Sequence, residues 1–396
     1  MTTKAGVGTS RHHNPNVAGR EAAEQALTNA GIPTKPDFVF MFASVGYDQH
    51  SLLQAVRQTT GEAPLTGCSV EGTINGENID ESDFSVLVTV ISSEELHWRN
   101  GVESGLEADP HAVGQRVAKA LLPDLSAKTI GLFVFPVLTG NLEHFFAGLE
   151  GDLSIDRFLP LWGGGAGNKS IDWRERTYQY CDDEVISDGV SYALLSGKAR
   201  AGWAISHSLI PIGGERKVTR CEGNVIYEID AKPAIEVLRE YLPDHALADA
   251  GRSAISLALC SRAPSYIKDE EYVSLGAPTV NLTDGSIAVQ TEVQEGMSIW
   301  LSSRDKEKVS TGFDRMAKQI KDQLGGENPK LLFQFECATR GKIMFREQEK
   351  LQLHRRFRQS VGPEVPWTGF YAIGEIGPVG EHNVIHLYTS VALALS

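Results

Sequence analysis

Cys337-Ala338-Thr339-Arg340-Gly341 places a thiol, a guanidinium and a glycine one residue beyond the apolar run Leu331-Leu332-Phe333-Gln334-Phe335. The end of a buried strand is where α/β sheets present side chains to ligands. There Arg340 would clamp a carboxylate through parallel N–H donors, and Glu375 or Glu71 would receive an ammonium group. Arg340 reads equally well as half of a structural ion pair. Cys337 reads as a packing thiol unless a nearby base activates it, in which case it would be the nucleophile of a cysteine-dependent enzyme. His382 and His386, four apart on one face of an expected strand, are the bases that chemistry would use. With His207 they are also the strand histidines able to ligate a metal or a haem iron.

The other chemistry-bearing stretches are glycine-rich. Pro64-Leu65-Thr66-Gly67-Cys68, Pro160-Leu161-Trp162-Gly163-Gly164-Gly165 and Pro366-Trp367-Thr368-Gly369 each lead into further glycines, at 72 and 76, at 167, and at 374 and 377. Absent Cβ atoms leave amide N–H groups open to a ligand carboxylate or phosphate, so Gly67, Cys68, Glu71, Gly163, Gly164, Gly165, Gly374 and Glu375 join Cys337 and Arg340 as candidate ligand-binding residues. The plainer alternative is that these glycines serve tight turns or bulges. Trp162 and Trp367 read as core rings at corresponding positions of two such stretches. None of the three stretches opens a helix as a dinucleotide fingerprint does, and no phosphate loop, nucleophile elbow or zincin helix is present.

These stretches need elements to position them, and the elements recur. An amphipathic helix, a buried strand, a second helix, the Pro-x-x-Gly strand and a final strand follow one another near 18–91, 110–195 and 306–393. The second helix of the middle copy shows the pattern well, with Leu142, Phe145, Phe146 and Leu149 at i, i+3, i+4 and i+7. Strands apolar on both faces and helices apolar on one predict an α/β (α+β) chain of mixed sheets covered by helices. A polar, small-residue stretch at 244–252 predicts a boundary near 245. That gives a disordered tail at 1–15, a domain at 16–245 with two repeats, and a domain at 246–396 with one repeat plus strands near 254–260 and 287–301.

Composition narrows the function. With 37 Lys+Arg against 51 Asp+Glu, a formal charge of -14 leaves no basic surplus for phosphate backbones, which argues against nucleic acid. No apolar run is long enough for membrane insertion and no signal-peptide core is present, so cytoplasmic residence is expected. Five scattered cysteines without a Cys-x-x-Cys pair fit reduced thiols, with neither a disulfide framework nor a zinc site.

Gly67-Cys68-Ser69-Val70-Glu71-Gly72, Glu222-Gly223-Asn224-Val225-Ile226-Tyr227-Glu228-Ile229-Asp230 with Lys232-Pro233-Ala234, Cys337-x-x-Arg340-Gly341, and Gly369-Phe370-Tyr371 with Gly374-Glu375-Ile376 together resemble the FIST family, a FIST N domain followed by a FIST C domain. The resemblance implies an intracellular sensory module for small ligands, amino acids among them, and in some members haem and a response to nitric oxide. It also implies an output partner such as a kinase or a cyclic-dinucleotide enzyme. Both domains together use the full length of the chain, so the partner is expected to be a separate protein. No motif assigns a haem ligand; His207 is the nearest candidate.

Overall fold

The computed structural model describes residues 3–76, 78–137, 142–153, 158–169, 176–247, 257–265 and 271–396. The contacts divide the chain into two compact units. One comprises Met1–Ile205, Phe313–Ile385 and Ser390–Ser396, the other Ser206–Gly312 with His386–Thr389. This division differs from a cut near 245, because all three repeats contribute to the larger unit. The mixed α+β architecture matches the expectation.

In the larger unit each repeat lays down the same ladder. The parallel pairs are Phe38–Ala43 with Leu65–Ser69, Thr129–Pro136 with Leu161–Gly164, and Leu331–Cys337 with Trp367–Ala372. Each first strand also pairs antiparallel with its repeat's last strand: Val86–Ser92, Gly189–Gly197 and Thr389–Leu395.

The edge of each ladder is then closed by a strand borrowed from another repeat. Gly72–Ile74 of the first pairs with Trp367–Ala372 of the third, Gln179–Cys181 of the second with Leu65–Ser69 of the first, and Glu375–Val379 of the third with Leu161–Gly164 of the second. The exchange is cyclic, so no repeat completes its sheet alone.

Strand alternation sets what each face buries. Phe38, Phe40 and Phe42 face a central core with Phe133, Phe135, Phe333 and Phe335, while Val39, Met41 and Ala43 face the helices Pro15–Ala30 and Gln49–Thr59. One phenylalanine from the same ladder position of each repeat meets at the centre. Phe40 lies 5.4 Å from Phe133 and 5.2 Å from Phe333, and Phe133 lies 4.7 Å from Phe333, ring centre to ring centre. Such pairs add about 0.5–1.5 kcal/mol each beyond the area they bury.

The same alternation separates the two tryptophans read as equivalent. Trp162 directly precedes Gly163 and joins the central core, whereas Trp367 lies two before Gly369 and packs on the helix side. A shift of one residue along a strand exchanges its faces.

Two local expectations change. Residues 4–10, read as part of a tail, form the strand Lys4–Ser10 along Val86–Ser92. The strand expected from 254 begins at Ala258, residues 254–256 lying outside the described residues.

The smaller unit is a mostly antiparallel sheet running Tyr272–Gly276, Ala258–Arg262, Ser298–Arg304, Arg216–Glu222, Val225–Ile229, Ile287–Ala288 and Thr279–Val280. Val218, Ile226, Leu259, Leu275 and Leu301 of these strands bury against Ala234, Val237 and Leu238 of its helix. Among the described residues no helix is long and apolar enough to cross a membrane.

Candidate functional site

The glycine of each Pro-x-x-Gly stands opposite the backbone of the neighbouring parallel strand. Met41 faces Gly67, Val134 faces Gly163, and Gln334 faces Gly369. At Gly67 and Gly163, both at φ 154°, an added Cβ would fall on the carbonyl oxygen of Met41 or Val134. These glycines are therefore required by strand packing.

The segments beyond them cross between sheets and meet. Gly165 N donates to Gly374 O at 2.8 Å, Ile373 N to Gly165 O at 3.1 Å, Gly167 N to Ser69 O at 2.9 Å, and Glu71 N to Tyr371 O at 3.1 Å. The structure thus brings Gly163, Gly164, Gly165, Gly374 and Glu375 together with the segment 67–72. At Gly165 and Gly167 the amides expected to face a ligand are used by protein carbonyls instead. Cys68 is buried in the central core, and burial pushes its thiol well above the ordinary cysteine range.

The Cys-x-x-Arg-Gly run ends its strand as expected, then turns. Arg340 Nε sits 2.6 Å from Glu336 Oε1 with both side chains inaccessible, at 0% and 1% exposure. Glu336 also accepts from Gln334 Nε2 at 2.7 Å. Burial raises the Glu336 carboxyl while Arg340 pulls it down. Of the two readings of Arg340, this geometry is the ion pair. Cys337 Sγ lies 3.1 Å from Thr339 Oγ1, a hydroxyl too weakly basic to ionise a thiol.

The turn presents Lys342. Its amide donates to both carboxylate oxygens of Glu81, at 2.9 and 3.0 Å, and Glu81 also receives the buried Lys350 ammonium. Close by, Glu71 Oε1 accepts from the amides of Asn168 and Lys169, each at 2.8 Å, and the Lys169 ammonium reaches the Glu71 carbonyl. Lys169 holds a left-handed backbone at φ 66°, a conformation that costs a side-chain-bearing residue about 1–3 kcal/mol unless its surroundings enforce it.

Burial raises the Glu71 carboxyl against the pull of those amides and of both lysines. Burial also lowers the Lys169 ammonium, and the neighbouring charge of Lys342 lowers it further while Glu71 opposes. Glu71, Lys169, Lys342 and Glu81 form a half-exposed rim of mixed charge where the crossovers meet. Sequence reading singled out Glu71 but missed Lys169, Lys342 and Glu81. The available signal was that Lys342 directly follows the Cys-x-x-Arg-Gly run and that Lys169 comes two residues after Gly167.

On the buried face of the helix Glu347–Val361, His354 is enclosed by Phe313, Trp367 and Tyr371, with Nε2 3.5 Å from the Tyr371 hydroxyl. Burial and the nearby charges of Arg340 and Lys350 push it down from 6.5 to about 3. Unfolded chains therefore take a proton below about pH 6.5 that the folded protein refuses until about pH 3. Stability is then lost as pH falls through that window, by about 1.4 kcal/mol per unit once the slope is fully developed. Urea unfolding at pH 7 and pH 5 should show a loss of about 2 kcal/mol in the wild type that His354→Gln removes; equal losses in both proteins would assign the acid sensitivity elsewhere.

Of the strand histidines, His207 and His386, in the smaller unit, are buried with ring centres 5.5 Å apart in edge-on contact, and His382 is exposed. No group of three or more His, Cys, Asp or Glu suited to a metal occurs among the described residues. Surface hollows of about 380 and 710 Å³, lined by residues such as Asp314, Lys318 and Lys321 and by Glu24, Leu27 and Ile32, touch none of the expected site residues.

Comparison with known proteins gives consistent matches. Residues 37–232 match the family model described as FIST N domain and residues 234–378 that described as FIST C domain. An uncharacterized protein of Mycobacterium tuberculosis is 26% identical over 407 residues, covering 98% of each chain. One from Methanocaldococcus jannaschii is 24% identical over 358 residues, 85% of this chain and 67% of that one. A crystal structure of a chorismatase aligns over 100% of this chain and 99% of its own, at 10% identity and a TM-score of 0.36, too weak a likeness to support an argument.

Proposed function

Because this chain belongs to the FIST family of sensory domains, we propose that it senses a small carboxylate-bearing metabolite, an amino acid or a relative of one, and signals through a separate protein. The observation that carries this reading is the rim at the crossovers. Lys169 and Lys342 bear on one another there, their ammonium groups directed to main-chain carbonyls, with the Glu71 carboxyl beside them. Two cations and a carboxyl in one partly dehydrated place suit a ligand that carries both a carboxylate and an amine.

Gly374 and Glu375 reach this neighbourhood through the crossovers. Cys337 and Arg340 act by shaping the turn that presents Lys342. The output partner, a kinase or a cyclic-dinucleotide enzyme, is proposed on the family's sensory role and not on any surface feature.

The test is thermal unfolding of the full chain against a panel of amino acids and their α-keto acids. A ligand at a hundred times its Kd stabilises by about 2.7 kcal/mol, a readily measured rise in Tm. Lys342→Ala and Glu71→Gln should each weaken the response. A panel without effect, or a ligand whose affinity ignores both substitutions, would overturn the site.

A further inference from the structure

We propose that the strand Leu96–Ser104 is a docking edge on which a second copy of this chain pairs antiparallel, about a twofold axis at Gly101. The strand lies outermost in its sheet, as Lys4–Ser10 and Ala201–His207 do in the sheets of the first and third repeats. Those two edges are capped by amide side chains. From the helix Pro15–Ala30, Gln25 Oε1 accepts from Thr9 N at 2.6 Å and Asn29 Nδ2 donates to Val7 O at 2.8 Å. From the helix Lys306–Leu324, Gln323 Oε1 accepts from Trp203 N at 3.1 Å and its Nε2 donates to Trp203 O at 2.6 Å. At Leu96–Ser104 the corresponding helix, Pro110–Leu121, caps only the end of the strand, where Arg116 Nη2 donates to Ser104 O. Gly105 N donates to Asp188 O and Lys198 N to Glu95 O, so odd-numbered residues turn their main-chain groups toward Gly189–Gly197 and even-numbered ones turn theirs outward. Among the described residues, nothing bonds the outward main-chain N–H and C=O groups of Trp98, Asn100 and Val102.

An uncapped row of strand donors and acceptors is a template for another strand. The devices that blunt such an edge are missing here: the segment 96–104 holds neither proline nor lysine, and its pairing with Gly189–Gly197 runs through all 9 residues without a bulge. The edge is also held in place. The Trp98 ring stacks on Phe38 at 5.0 Å, and Asn100 Nδ2 donates to Leu65 O at 2.8 Å and to Asp182 Oδ1 at 2.9 Å, so little order remains to be imposed on binding. Charge selects a second copy as the occupant. With the axis at Gly101, antiparallel register sets Arg99 opposite Glu103 of the other copy and Glu103 opposite its Arg99, while Asn100 and Val102 exchange main-chain hydrogen bonds across the axis. Gly101 meets Gly101 and brings no side chain between the strands. Arg99 is 66% exposed and its contact with Asp124, at 3.4 Å, is a surface pair that costs little to exchange. Glu103 uses Oε2 for Arg116 Nε at 2.8 Å, which leaves Oε1 for the second copy.

The experiment is sedimentation velocity of the full chain across a concentration series, with hydrogen exchange of the segment 96–104 followed at the lowest and highest concentrations. The wild type should show a reversible species of twice the chain's mass. The amides of Trp98, Asn100 and Val102 should exchange fast in the monomer and slowly once the dimer forms. Val102→Pro removes an outward N–H and no ladder bond, so that variant should fold and remain monomeric. Arg99→Glu sets carboxylates opposite one another and should weaken the dimer about tenfold, and the charge swap Arg99→Glu/Glu103→Arg should restore it. A wild type that is monomeric throughout overturns the proposal, and protection of the same amides by an added protein of another kind would then give the edge to that partner. A dimer that forms equally well in Val102→Pro and in Arg99→Glu uses another surface and overturns it too, as does one that Arg99→Glu weakens and the charge swap fails to restore.

Discussion

Gly67→Ala and Gly163→Ala should each destabilise the protein by about 4–5 kcal/mol, at the severe end of single substitutions, and should leave little folded chain at physiological temperature. The cause is local. Each glycine stands opposite a residue of the neighbouring parallel strand at φ 154°, and the new Cβ would fall on a main-chain carbonyl oxygen that neither strand can move without opening its ladder. Because the three sheets exchange edge strands cyclically, the displacement would also reach the crossovers that join 164–167 to 69–71 and 373–374. Gly151→Ala is the matched control. Gly151 lies in the helix Leu142–Asp152 with open space around it, so alanine there should be neutral or stabilising by up to about 1 kcal/mol. Chemical denaturation of the three variants tests the claim, and midpoints for Gly67→Ala or Gly163→Ala within error of Gly151→Ala would refute it.

Arg340→Met should cost about 3–5 kcal/mol by leaving the Glu336 carboxylate buried without its cation. Methionine fills much of the vacated volume, so the loss reports charge more than packing. The double variant Glu336→Gln/Arg340→Met should recover most of it, since removing both members of a buried pair is often close to neutral. This cycle separates the two chemical readings of the guanidinium. A carboxylate clamp would give a near-normal unfolding midpoint with lost ligand affinity, whereas an anchor for the turn at 338–342 gives a large stability loss that the second substitution repairs.

Much of the fold was legible because the repeat is written in residue periodicity. The amphipathic helix that opens the third copy near 306 is Lys306–Leu324, and the buried strand of the first copy is Phe38–Ala43, since apolar residues at helical or strand spacing must find a core. The strand Lys4–Ser10 was not legible, because Gly6 and Gly8 interrupt its alternation with poor strand formers and its partner lies some eighty residues away.

Of the candidate site, sequence supplied the neighbourhood and half the chemistry. Glycines, Glu71 and the Cys-x-x-Arg-Gly turn were visible as unusual residue types. Their assignment as contacts depended on facts that spacing does not carry: whether Arg340 already has a carboxylate, whether a glycine amide is already used, and whether two lysines far apart in the chain share one rim.

The thrice-written helix-strand-helix-strand-strand unit, its Pro-x-x-Gly strands and its buried phenylalanines were determined by sequence alone, because each follows from local periodicity and from backbone sterics. Tertiary structure alone decided that the third repeat joins the first two, that their edge strands are exchanged in a ring, and that Lys169 is held at Glu71 and Lys342 at Glu81. Those outcomes depend on which unpaired strand edge meets which, a choice among chemically similar edges made by long-range packing and not by any single segment's preference.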